Sequence, residues 1–205
     1  MKISKNISLG ILIGFILLFI INENKNLSSK IDISRINLET HAASIIPKNK
    51  DYIIHTTNEY SFEYPSTWFI EDTPSGIKSF ISTTITNFNQ DFYNKPDINI
   101  SNENLTRISI IKIPKSDKEK SFRTWLDEYI ARGIDDWGSK VLKEENTSVD
   151  GYEAIFHIEQ LGAIESPVIY INKEDAIYII IGGSFDKDLD EVFYHLIKSF
   201  HFIKI

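Results

Sequence analysis

The sequence predicts an α+β fold in which an antiparallel β-sheet is sandwiched between helices, an α/β/α arrangement. Three observations carry this reading. Beyond position 50, most apolar residues fall in short β-prone runs joined by tight turns, and hairpin-linked strands pair antiparallel. Two segments, near 121–135 and 186–200, show helical periodicity instead. Each has one apolar stripe, which must be buried against a sheet face. The predicted order is β-β-β-β-α-β-β-β-β-α-β.

The chain of 205 residues divides into 1–22, 23–50 and 51–205. Lys2 and Lys5 precede a continuous apolar run from Leu9 to Ile21. Its thirteen residues match a signal-peptide core and fall short of the roughly 20 that span a bilayer. A buried core helix would be amphipathic. Residues 1–22 are therefore a signal peptide or an N-terminal membrane anchor. Asn22 to Asn26 offer a signal peptidase no small residue, so cleavage stays open. Either way the positive-inside rule places the rest of the chain outside the cytoplasm. Residues 23–50 are polar and aperiodic, a linker reaching about 30 Å if flexible.

The folded part opens with a β-prone run at Asp51–His55 and a turn at Asn58 and Glu59. Tyr60, Phe62 and Tyr64 alternate with Ser61 and Glu63, the period of a half-buried strand. Pro65 ends it, because proline cannot donate to a ladder. Trp68, Phe69 and Ile70 follow without an element of their own. Thr73 to Gly76 is a turn, and 77–88 is a strand rich in β-branched residues. Residues 87–104 form a loop. A strand at 105–113 ends at Pro114.

In the first helix Phe122, Trp125, Leu126, Tyr129 and Ile130 make one apolar face. Ser121 or Asp117 caps it and Gly133 frays its end. Asp150-Gly151 joins strands 141–148 and 152–161 as a hairpin. A second hairpin joins 168–171 to 176–181, closed by Gly182-Gly183. Leu189, Val192, Phe193, Leu196, Ile197 and Phe200 stripe the last helix, and 200–205 is a terminal strand.

The net charge is −7, and removing Lys2 and Lys5 leaves −9, which argues against a nucleic-acid partner. Cysteine is absent, which excludes disulfides, thiolate metal sites and a thiol nucleophile. No Walker or dinucleotide glycine loop occurs, so no cofactor is expected. The 38 isoleucines against four valines reflect codon bias rather than physics.

Tyr60-Ser61-Phe62-Glu63-Tyr64-Pro65-Ser66-Thr67-Trp68 is an aromatic–x–aromatic–x–Tyr-Pro-x-x-Trp motif. It resembles the opening strand of the PsbP and PsbP-like family. Val149 to Ala154 is similar to that family's Val-x-Gly-x-x-Ala hairpin, and Ala176–Ile180 to its late strand. Ile197 to Phe202 is similar to its closing helix and strand. The resemblance implies an α/β/α sandwich and a non-enzymatic accessory role at a membrane protein complex, photosystem II in the family's type case. The family's cyanobacterial members carry a lipidated cysteine that this chain lacks.

Tyr64, Trp68 and Tyr93 are the residues expected to line a ligand groove, with core packing as the rival reading. Asp186, Asp188 and Asp190 have the start of a calcium loop, but Glu191 stands where glycine is needed. Helix N-terminal stabilisation explains them more simply. His41, His55, His157, His195 and His201 lack zinc-site spacing. His157 alternates with Phe156 and Ile158 and is expected to face solvent. His195 and His201 are weighed as a metal pair at the helix–strand junction, and Asp135 and Asp136 as an acid–base pair; plainer roles prevail for both. Ser184 has no named base. No catalytic or metal residue is predicted. The expected function is a non-enzymatic extracytoplasmic accessory or binding domain. The alternatives are a solute- or ligand-binding envelope protein with 87–104 as its flap, and a hydrolase whose site matches no motif.

Overall fold

A computed structural model describes residues 51–73, 81–89, 105–115, 120–161, 164–184 and 189–204. Ten strands and two helices lie among them: β1 (Tyr52–Thr56), β2 (Tyr60–Pro65), β3 (Phe69–Asp72), β4 (Ile81–Thr86), β5 (Thr106–Pro114), α1 (Phe122–Trp137), β6 (Lys140–Val149), β7 (Tyr152–Leu161), β8 (Ile164–Lys173), β9 (Ala176–Ser184), α2 (Leu189–Ser199) and β10 (His201–Phe202). Residues 1–22, the linker 23–50 and most of the predicted loop 87–104 lie outside the described residues.

The strands form two sheets where one was expected. The long sheet has the order β3-β4-β5-β9-β8-β7-β6, and the short one β1-β2-β10. Every pairing is antiparallel. The predicted order also missed β3. Four residues after a turn are too few for a period-2 signal, and the strand exists because Ile70 and Asp72 register against Ile85 and Thr83.

Alternate residues of the long sheet feed two apolar clusters. Ile108, Ile110, Phe156, Ile169, Tyr178 and Ile180 join α2 and the aromatic face of β2. Ile111, Ile155, Val168, Tyr170, Ile177 and Ile179 join Phe122 and Leu126 of α1. Trp125, Tyr129 and Ile130 pack against the second cluster, so the predicted α1 stripe is the buried one. Strands covered on both faces need apolar residues at nearly every position, which is what the isoleucine-rich β8 and β9 provide.

Local chemistry sets the ends. Ser121 Oγ accepts from the Thr124 amide at 3.1 Å, capping α1. Gly138, at φ 63°, follows the last helical residue; Gly133 lies inside the helix, contrary to its expected role at the fraying end. Asp150 (φ 50°) and Gly151 (φ 80°) make the two-residue turn between β6 and β7, the type whose twist matches a hairpin. Gly182 and Gly183 do not close the second hairpin. They continue β9, opposite Ile108 and Arg107. A Cβ on Gly182 would lie 3.1 Å from Leu189, Phe193 and Pro167 side chains. Glycine is there because α2 crosses close to the strand.

Candidate functional site

Of the predicted groove residues, Tyr64 and Trp68 are among the described ones. Tyr64 is buried in the core shared with α2, its ring 6.3 Å from Phe62 and 6.4 Å from His55. Trp68 is half-buried and packs against the same cluster. Tyr93 lies outside the described residues, as do Asp186, Asp188 and His41. Asp135 and Asp136 fall in the last turn of α1 and Ser184 ends β9; their side chains are also outside the description.

The ionisable chemistry gathers elsewhere. His157 was expected in solvent but is fully buried on β7. The reason is topological: β7 is an interior strand, and the face carrying Ile155, His157 and Glu159 is the one α1 covers. Alternation marks the two faces of a strand, and here neither is wet. His157 Nε2 lies 3.1 Å from Glu144 Oε2 on β6, and Nδ1 lies 3.1 Å from Glu159 Oε1. A carboxylate can only accept, so both bonds form together only when the ring carries both protons. Tyr170 on β8, in register with Ile155, donates to Glu159 Oε1 at 2.7 Å. Its ring sits 5.3 Å from His157 and 5.9 Å from Tyr129 of α1.

Helix α1 closes the cluster. Arg123 donates to Glu144 and pairs with Asp127 at 2.9 Å. The Arg123 hydrogen bond, aided by His157, holds the Glu144 carboxyl below the usual carboxylate range despite partial burial. Burial, then the Glu159 charge, pushes Tyr129 up to about 12 and raises Tyr170 well above the phenol range. Both tyrosines therefore stay neutral donors across ordinary pH.

A second polar chain ties the two sheets together. Thr83, on β4 and fully buried, donates to Asp72 Oδ1 at 2.6 Å. Its hydroxyl proton being spent, it accepts from Tyr60 at 2.7 Å. His55 Nε2 hydrogen-bonds the same Asp72 oxygen at 3.2 Å and lies 3.0 Å from Oδ2. Burial pushes the Tyr60 hydroxyl up to about 12, against the opposing pull of the Thr83 bond. Nearby, Lys112 and Tyr178 both donate to Glu59.

His195 and His201 do not meet as a metal pair. His195 donates to Glu63 at 2.7 Å and stacks on Tyr52, whereas His201 bonds Asp150 at 3.1 Å. All four described histidines thus face carboxylates. No set of three histidine, aspartate or glutamate side chains among the described residues is arranged to hold a metal ion. The polar clusters act chemically as internal fastenings: α1 to the long sheet through Glu144 and His157, sheet to sheet through Thr83, and the C-terminus to a hairpin turn through Asp150.

No family model matches the chain, and no curated protein matches its sequence. Structural similarity extends to cyanobacterial PsbP (CyanoP) from Synechocystis sp. PCC 6803. There, 86% of this chain aligns with 99% of that one at 14% identity and a TM-score of 0.45. It extends also to a Pseudomonas aeruginosa protein of unknown function, described as a putative regulator, covering 68% of this chain and 86% of that one at 13% identity and a TM-score of 0.36. A Bacteroides thetaiotaomicron protein aligns over 71% of this chain and 45% of its own, at 16% identity and a TM-score of 0.33. The cyanobacterial protein belongs to the family that the Tyr60–Trp68 motif resembles.

Proposed function

We propose that this chain is a non-enzymatic accessory domain, exported and held at the outer face of a membrane by its N-terminal segment, where it serves as a binding subunit of a membrane protein complex. The observation that carries the reading is the order of parts: two lysines, a thirteen-residue apolar run, a polar linker, then a folded domain. The internal pairing of its histidines fits a scaffold better than a reaction centre. We read the layering as the α/β/α sandwich that the PsbP resemblance implies, one helix against each face of the long sheet. Photosystem II is the partner which that resemblance suggests.

The test uses the full chain with a C-terminal tag in native membranes. Protease added from outside should remove the tag, and crosslinking followed by mass spectrometry should recover the subunits of one membrane complex. Photosystem II core subunits among them would support the narrow reading, and a different complex would support the accessory role without photosynthesis. A protected tag, or no subunit above background, would overturn the proposal.

A further inference from the structure

The sheets end in four edge strands, β1 and β10 on the short one, β3 and β6 on the long one. An edge strand offers backbone groups to any passing chain, and proteins blunt it by shortness, charge, proline or a bulge. Strand β10 has two residues. Strand β3 has four and ends in Glu71 and Asp72. Strand β6 carries Lys140, Lys143, Glu144 and Glu145, and its register shifts between Val141 and Lys143. Strand β1, Tyr-Ile-Ile-His-Thr, has none of these devices: it holds no acid, lysine, arginine or proline, and its register with β2 runs unbroken. Among the described residues, three large apolar side chains are exposed: Ile53 at 43%, Ile54 at 70% and Phe69 at 47%. All lie on β1 and β3, which the contact of His55 with Asp72 brings to one side of the molecule.

The sequence of β1 fits a second copy of itself. A two-fold axis through a sheet edge keeps each face on its own side, so a residue meets one of its own parity. With the axis at Ile53, Ile53 meets Ile53, Tyr52 meets Ile54 and the exposed Asp51 meets His55. The second is an aromatic–β-branched pair, a favourable cross-strand contact. The third sets a carboxylate against an imidazole, and both pairs occur twice by symmetry. With the axis at Ile54 the pairs become Ile53 with His55 and Tyr52 with Thr56, which lose both gains. Acidic chains repel one another, so a self-contact requires a surface without acid excess, and β1 supplies it.

We propose that two copies of this chain pair antiparallel through β1, about a two-fold axis at Ile53, joining their short sheets into one continuous sheet.

The test uses the full chain in detergent micelles. Cysteine is absent, so single cysteines report without interference. Under mild oxidation Ile53→Cys should cross-link to itself, because residues opposite each other in a strand pair lie about 5 Å apart, within disulfide reach. Ile54→Cys should not, since its two copies lie about 8 Å apart, out of reach. Sedimentation over about a hundredfold range of concentration should show a reversible monomer–dimer equilibrium, and Ile54→Lys should raise its dissociation constant about tenfold. Circular dichroism should be unchanged in Ile54→Lys, because the side chain it replaces is exposed. Three results would overturn the proposal. A monomer at every concentration would leave the edge to a different chain. A dimer indifferent to Ile54→Lys would place the contact elsewhere, the apolar N-terminal run included. Cross-linking of Ile54→Cys in preference to Ile53→Cys would remove the register.

Discussion

Nδ1 of His157 lies 3.1 Å from Oε1 of Glu159, two residues along the same strand. The imidazole is fully buried, and its other nitrogen faces Glu144. Removing one member of such a cluster leaves charge and hydrogen-bonding groups stranded under α1. His157→Ala should lower the free energy of unfolding by about 3 kcal/mol, read by urea denaturation. A change within 0.5 kcal/mol, the size ordinary for a surface site, would mean that the ring is not enclosed.

Thr83 is the link between the two sheets. Thr83→Val keeps the shape but removes the hydroxyl that donates to Asp72 and accepts from Tyr60. The buried Tyr60 hydroxyl then loses a partner and the exposed Asp72 a donor, and stability should fall by about 1–3 kcal/mol. Tyr60→Phe in that background should recover part of the loss, since it removes one stranded hydroxyl. A double mutant no more stable than Thr83→Val would break the chain of bonds described above.

Acid should loosen the fold through Glu144 and Asp150. Arg123 holds the Glu144 carboxyl below its ordinary range. Burial alone would raise Asp150, but the His201 bond and the Phe202 amide outweigh it and the net shift is downward. A carboxyl whose folded-state value lies below its unfolded one adds stability above the unfolded value, and loses it as pH falls through the folded one. Urea midpoints measured from pH 7 to pH 3 should therefore decline, and Asp150→Asn should flatten the decline. Asparagine also tolerates the positive φ at this position, so the turn is kept. An unchanged slope in Asp150→Asn would remove this residue from the acid response.

Gly182 tests how closely α2 crosses the long sheet. A methyl there meets Leu189, Phe193 and Pro167 at 3.1 Å each, and Gly182→Ala should cost about 1–3 kcal/mol of overpacking. At Gly183 the same substitution meets nothing within 4 Å and should be near neutral. Thermal midpoints of the two variants compare them directly, and equal midpoints would refute the close crossing.

Much of the architecture was legible because local rules are strong where they apply. Asp150-Gly151 specified a two-residue turn, and that turn sets the β6–β7 register from Val149 back to Lys143, with Glu144 opposite His157. The pair could have been read from the hairpin. Its burial could not, because nothing in β7 says that α1, from a separate part of the chain, lies over it. The same limit applied to Gly182, which reads as a turn residue until the crossing helix is in place.

The sequence by itself determined the antiparallel hairpins and both helices with their buried stripes, since these follow from periodicity, turn chemistry and capping over a few neighbouring residues. Tertiary structure alone decided the division into two sheets, the placing of β3, and the pairing of histidines with carboxylates as distant as Glu63 and His195. Those depend on which faces become dry when distant segments pack, and a single strand carries no record of what will cover it.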